Sequence, residues 1–311
     1  MNRPARSIEI LSTSALSLFV TAMGSFAILM FILIPYFRPG KEDKVLGKPG
    51  NVLFCVWPTR LKDFEEFVKE VPDAKERGEE FRPDSYLQDD VWRNPGYDQQ
   101  PDFPVVGVSW LQAQAFCKWL TGKERAAGVI GPRDEYRLPT DAEWTAAAGS
   151  GPYPWGHDWP PPPKSGNFAD ETWAHAIGYK FGFPDMQGYN DGYAMVAPVG
   201  SFTPNRFGLF DMAGNVMQWC QDKYRVDMVP PELLEKFPYL KTDKFEGEDL
   251  YLMRGSNWQS EGDRLHSYWR RLGVQEFRLD AGGFRCVLVL NSPPGSPPSA
   301  GTTPPGASGT K

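Results

Sequence analysis

The sequence predicts a turn-rich domain of short helices and strands, held behind one apolar helix near the N-terminus. Three observations predict it. The 311 residues include 31 glycines and 30 prolines, which favours turns over long regular elements. Hydrophobic residues make up 41% and aromatic residues 14%, ample for a core. Ile10 to Phe37 contains no charged residue, and a bilayer-spanning helix needs about 20 apolar residues.

Residues 1–9 carry Arg3 and Arg6, which places that end in the cytoplasm by the positive-inside tendency, although Arg38, Lys41 and Lys44 follow the run. The transmembrane helix is expected over 10–37, ended by Pro35 and Pro39-Gly40. A cleaved signal peptide is the alternative. The run exceeds the usual apolar region of a signal of about 7–15 residues, and no small-x-small cleavage pattern follows it. Ser14, Ser17, Thr21 and Gly24 recur at three- and four-residue spacing, so one helix face is small and hydroxylated. Such a face admits a second helix, from a partner or a second copy. The same hydroxyls can instead bond their own backbone.

Residues 38–50 read as a charged, glycine-rich linker, and 291–311 as a disordered tail of Pro, Gly, Ser, Ala and Thr. The folded domain is therefore expected over 51–290. Within it, Val52–Trp57 reads as a strand, and Leu61, Phe64, Phe67 and Val68 repeat at helical spacing. Pro104–Val108 reads as a strand. Ser109 with Gln112 forms a capping box, and Trp110, Ala113, Phe116, Cys117 and Leu120 make the buried face of the helix that follows. A second capping box pairs Thr140 with Glu143. Residues 149–205 are expected to be loops, and Gly283–Leu290 a closing strand.

Net charge is -6 with no basic stripe, which excludes nucleic acid as a partner. Cys55, Cys117, Cys220 and Cys286 form no C-x-x-C pair, and the three histidines are scattered, so no zinc pattern is present. Phosphate-cradling glycine loops and G-x-S-x-G elbows are also missing.

Eight segments occur in a telling order. They are Pro104-Val-Val-Gly-Val-Ser-Trp110, Phe116-Cys-Lys-Trp119, Tyr136-Arg-Leu-Pro-Thr-Asp-Ala-Glu-Trp144, Tyr153-Pro-Trp-Gly156, Ala197-Pro-Val-Gly200, Asn205–Trp219, Arg254-Gly-Ser-Asn-Trp258 and Gly282-Gly-Phe-Arg-Cys286. Together they resemble the formylglycine-generating enzyme family, the sulfatase-modifying factors, over nearly all of 51–290. The resemblance implies an irregular α+β fold related to C-type lectins.

Enzymes of that family oxidise a substrate cysteine using copper held by two cysteines. The reason is softness: thiolates select copper(I). Aligned on Trp258, those positions hold Ser260 and Leu265, and no cysteine lies between Cys220 and Cys286. Copper is not expected here. The leading reading is a non-catalytic binding or structural module outside the cytoplasm, within a membrane complex, with a protein or glycan ligand. The alternative is a formylglycine-generating or other oxidative enzyme on the same fold.

Around the vacated positions, Asn257, Trp258, Tyr268, Trp269, Arg270 and Arg271 form a candidate cleft, since Trp, Tyr and Arg are the usual anchors. The aromatics are equally suited to a core. The resemblance further implies a Cys117–Cys286 disulfide and two calcium sets. The first set is Asn167, the Phe168 carbonyl, Asp191 and the Tyr193 carbonyl. The second is Asp211, the carbonyls of Gly214 and Val216, and Gln218, which stands where the family usually has glutamate. Asp191 and Asp211 also suit ordinary turns beside glycine.

Overall fold

The computed structural model describes residues 37–39, 52–73, 75–78, 91–149, 151–178, 188–229 and 231–291. Most of the expected apolar helix, with Ser14, Ser17, Thr21 and Gly24, lies outside them, as do most of the linker and tail. Among the described residues no helix is long and apolar enough to cross a membrane.

Two four-stranded sheets frame the domain. The first runs β1 (Phe37–Pro39), β2 (Val52–Cys55), β10 (Val287–Val289), β3 (Glu135–Arg137), all antiparallel. It joins the start and the end of the folded domain, because β2 and β10 pair directly. Phe37 therefore ends in a strand rather than the expected helix, and residues 38 and 39 in a strand rather than a linker. Asn291 also belongs to the domain rather than the tail: its N–H donates to Asp134 Oδ1 at 2.8 Å.

The second sheet runs β8 (Arg270–Gly273), β7 (Tyr251–Arg254), β4 (Met217–Lys223), β9 (Gly282–Gly283). Only the β4–β9 pair is parallel. Three helices pack around these sheets: α1 (Leu61–Glu70), α2 (Trp110–Ala126) and α3 (Asp141–Ala148). Short α4 (Glu171–Ala176) and α5 (Pro231–Lys236) and a hairpin, β5 (Lys244–Phe245) with β6 (Glu248–Asp249), complete the regular structure.

Both capping boxes form. Ser109 Oγ accepts from Gln112 N–H at 3.1 Å and Gln112 Oε1 accepts from Ser109 N–H at 2.9 Å. Thr140 and Glu143 do the same at 3.2 and 2.8 Å. Each box satisfies two N–H groups that a helix start would leave bare. On α2, Ala113, Phe116 and Cys117 are buried as expected, while Trp110 and Leu120 are half-buried.

Pro104–Val108 is not a strand. Its N–H groups go to scattered partners: Val105 to Thr59 O at 2.9 Å and Gly107 to Leu279 O at 2.9 Å. Val105, Val106 and Val108 are fully buried all the same. Here β-branched residues serve as core filler for an irregular segment. The expected closing strand likewise divides into β9 and β10 around Phe284-Arg285-Cys286.

Aromatic rings fill the space that regular layers would otherwise fill. Phe64 stacks on Phe116 at 6.0 Å and meets Phe284 edge-on at 6.3 Å. Trp144 and Trp219 are fully buried on opposite sides of the second sheet's core.

Candidate functional site

The vacated metal positions are closed. Ser260 sits just after β7, on the loop toward a 3₁₀ turn at Gly262–Leu265. Its hydroxyl donates to Asn257 Oδ1 at 2.8 Å and accepts from Asn257 N–H at 3.1 Å. Leu265 is 1% exposed and packs with Phe168, Tyr189 and Ala213, against Tyr153 and Trp155. A satisfied hydroxyl and a buried methyl pair offer no soft donor, so these residues do not fit copper.

The six residues expected to form a cleft are not brought together as one surface. Trp258 is buried among Val106, Val196, Val216 and Ala281, with its ring 5.8 Å from Tyr97. Asn257 is buried and engaged with Ser260 and with Gln259 N–H. Arg270 and the fully buried Arg254 clasp Asp141 at the start of α3. Burial would raise the Asp141 carboxyl, but the two guanidiniums outweigh it and hold it below the usual range. Arg254 also donates to Ser267 O at 2.7 Å and to Thr145 Oγ1 at 2.9 Å. This cluster locks the β7–β8 pair onto α3, and a well-bonded buried pair costs several kcal/mol to break.

Tyr268 and Trp269 remain half-exposed, but in different company. Their rings belong to a ladder on the surface. Tyr153 stacks on Trp155 at 4.8 Å and on Trp159 at 5.3 Å. It meets His266 at 4.7 Å, which stacks on Tyr268 at 4.7 Å. Phe237 continues the series 6.5 Å from Tyr268, with Trp269 and Tyr239 beyond it at 5.1 and 6.1 Å. Trp159 and Tyr239 are 41% and 44% exposed. Arg271 is exposed, its guanidinium over the Phe277 ring.

Beside the ladder lies a cavity of 390 Å³ lined by Tyr153, Trp155, His157, Asn205, Arg206 and Asp211, among others. Tyr153 and Trp155 thus face the cavity and pack on Leu265 as well. Tyr153-Pro-Trp-Gly156 hinted at these rings, but nothing along the chain placed Phe237 or Tyr239 beside them.

The two calcium sets differ. In the first, Phe168 and Tyr193 N–H donate to the two Asp191 oxygens at 2.9 and 2.8 Å. Asp191 N–H donates to Asp170 Oδ2 at 2.7 Å, so a second carboxylate stands beside the first. Burial, helped by Asp170 and opposed by those amides, pushes the Asp191 carboxyl up to about 7. Asn167 is fully buried, and its Oδ1 has no hydrogen-bond partner among the described residues. Hard oxygens, an orphaned acceptor and crowded carboxylates fit calcium. Asp170 was not among the residues carried over from the family, and its place beside Asp191, 21 residues on, shows only in the fold.

In the second set, Gln218 is saturated. Its Oε1 accepts from Arg285 Nε at 2.6 Å and Trp144 Nε1 at 3.2 Å, and its Nε2 donates to Asp211 O at 2.7 Å. Arg285 is fully buried and also donates to Phe210 O at 2.6 Å. Burial pushes its guanidinium down to about 10, so it stays charged at neutral pH. Arg285 and Trp144 already take Gln218 Oε1, so the set lacks that ligand and does not fit calcium. Gly214 (φ +69°) serves the fold: a Cβ there would meet Asn167 O at 2.2 Å.

Cys117 and Cys286 face each other with sulfurs 3.4 Å apart, as free thiols rather than the expected disulfide.

Residues 59–290 match the model of the sulfatase-modifying factor enzyme 1-like domain. The chain belongs to the sulfatase-modifying factor family. It is 27% identical to the inactive Cα-formylglycine-generating enzyme 2 of Bos taurus, over 82% of each chain. It is 29% identical to the formylglycine-generating enzyme of Mycobacterium tuberculosis, over 86% of this chain and 82% of that one. Among solved structures, PvdO from Pseudomonas aeruginosa superposes with a TM-score of 0.51 at 22% identity, over 82% of this chain and 91% of that one. That last likeness shows the family's mixed α/β fold. The relatives thus include one named inactive as well as enzymes.

Proposed function

We propose that this family member is a non-catalytic binding module, held at a membrane outside the cytoplasm by residues 10–37. The observation that carries the reading is Leu265, buried among Phe168, Tyr189 and Ala213 where a copper thiolate would stand. An apolar plug cannot be a ligand, and the neighbouring Ser260 hydroxyl is spent on Asn257. The similarity to a relative named inactive supports the same reading.

The ligand surface is the ring ladder and the adjoining 390 Å³ cavity. Tyr and Trp present broad apolar faces with a polar tip, which suits a protein or glycan. Calcium at Asn167, Phe168, Asp191 and Tyr193 would brace the loop behind Leu265. A Cys117–Cys286 disulfide would tie α2 to the closing segment, since their sulfurs are already in contact. The Ser14, Ser17, Thr21 and Gly24 face would pair with a second helix in the membrane.

Two measurements test this. The purified chain is titrated with copper(I) and incubated with a cysteine-containing peptide, whose mass is followed. Neither tight binding nor conversion to formylglycine is expected; conversion would restore the enzymatic reading. Changing Ser14, Ser17, Thr21 and Gly24 to leucine is expected to release a crosslinkable partner while the chain stays in the membrane fraction. Unchanged crosslinking would reduce the segment to a tether.

A further inference from the structure

Three of the four cysteines converge on one point. In the β2–β10 register Val287 stands opposite Phe54, which sets Cys286 opposite Cys55. Cys55 N–H donates to Cys286 O at 3.0 Å, which places the two side chains on one face of the pair. Directly opposed antiparallel residues have Cα atoms about 4.5–5.5 Å apart, inside the roughly 4.4–6.8 Å range that a disulfide spans. Cys117 reaches the same sulfur from α2, 3.4 Å from Cys286 Sγ.

Access to the three is graded. Cys117 and Cys286 are each 1% exposed, whereas Cys55 is half-buried. A cavity of 210 Å³ opens beside Cys55 and Cys286, walled by Trp57, Thr59, Trp119 and Lys123, and Cys117 does not line it. Of the two cysteines that line the cavity, Cys55 is the more exposed, and Cys117 lies in contact with Cys286 rather than on the cavity wall.

We propose that Cys55 is the entry thiol of a three-cysteine relay that carries oxidation from a low-molecular-weight disulfide to the Cys117–Cys286 pair. The Cys55 thiolate attacks one sulfur of the small disulfide, which forms a mixed disulfide and expels one thiolate. Cys286, deprotonated, attacks Cys55 Sγ, and the second small thiolate leaves. Cys117, deprotonated, then attacks Cys286 Sγ, and Cys55 leaves as a thiolate. One small disulfide is reduced to two thiols, Cys117 and Cys286 are oxidised, and Cys55 is regenerated. The protons lost by Cys117 and Cys286 end on the two small thiols.

Exchange depends on the thiolate fraction and on which sulfur can be reached. Burial pushes the Cys55 and Cys286 thiols well up, so the relay quickens as pH rises. The proposal is independent of the binding role above.

The reduced full chain in detergent micelles is exposed to glutathione disulfide, quenched by acid at intervals and mapped by mass spectrometry. In the native chain the earliest adduct is expected on Cys55. Cys55→Ser is expected to slow formation of the Cys117–Cys286 bond on the order of tenfold, because the remaining cavity-lining sulfur, Cys286, is only 1% exposed. Cys117→Ser is expected to accumulate a Cys55–Cys286 bond. An earliest adduct on Cys117 or Cys286, or Cys55→Ser oxidising at the native rate, overturns the relay. The native-chain time course needs no variant, so a misfolded mutant cannot hide the answer.

Discussion

The two sets of oxygen ligands lie in neighbouring loops, yet physics treats them oppositely. Around Asp191 the chain gathers acceptors and leaves them short of positive charge: two carboxylates in contact and one orphaned amide oxygen. Around Gln218 a guanidinium is built in, and the Gln218 oxygen already has two donors. The first region has the acceptors that the proposed calcium would use. In the second, Arg285 takes the Gln218 oxygen and holds β4 to the closing segment. Ligand spacing alone does not make a metal site; the donors that compete for those ligands decide it.

The largest effect expected from breaking the comparison is at Arg285. Replacing it with methionine takes a charged donor from Gln218 Oε1, Phe210 O and Asp211 O in a dry interior. Removing one member of a buried charged network costs about 3–5 kcal/mol, which urea unfolding would read as a lower midpoint. An unchanged midpoint would mean that water takes the guanidinium's place.

Next comes calcium itself. At a hundredfold excess over Kd, a ligand bound only by the folded state adds about 2.7 kcal/mol. The thermal midpoint is therefore expected to rise with calcium, and to stop doing so in Asp191→Asn. Gln218→Ala should leave the calcium response in place, because its acceptors already serve Arg285. If both variants respond alike, the distinction between the two sets fails.

A third test uses pH in a chelator. The folded Asp191 carboxyl lies at about 7, well above its usual value of 3.8. The folded state thus holds a proton that the unfolded chain has lost over that interval. Stability is full below about pH 4 for this group and falls as pH climbs toward 7, the reverse of a salt-bridged aspartate. Each unit of such a shift is worth about 1.4 kcal/mol. Asp191→Asn should flatten this slope, and saturating calcium should do the same. A slope unchanged by either would place the titrating group elsewhere, with Asp211, at about 6, the next to examine.

The smallest effect is a control outside both regions. Thr140→Ala removes half of the α3 capping box and should cost about 1 kcal/mol with the calcium response intact.

Much of the fold was legible along the chain. Ser109 with Gln112 and Thr140 with Glu143 announced two helix starts, because capping is decided by residues three apart. The α1 and α2 faces showed for the same reason. The second sheet was not legible. β7 and β8 are four residues each and carry Arg254 and Arg270 buried against Asp141, and β4 reads MQWCQDK, so polar residues conceal these strands. At the candidate site, the loss of the copper ligands was plain in Ser260 and Leu265. The expected cleft was not well placed, since Trp258 and Arg270 turn inward while Tyr153, Trp159 and Tyr239 supply the exposed rings.

By itself, then, the sequence determined the family, the helix starts, the charge-free run at 10–37 and the absence of a thiolate pair. Each is written in residue identity or in spacing within a turn or two. Only the tertiary structure decided which acceptors are already spent and which rings face water. It also decided that Cys55, distant in sequence, stands opposite Cys286. Those facts depend on contacts between segments that the chain separates by tens to hundreds of residues, where local spacing carries no information.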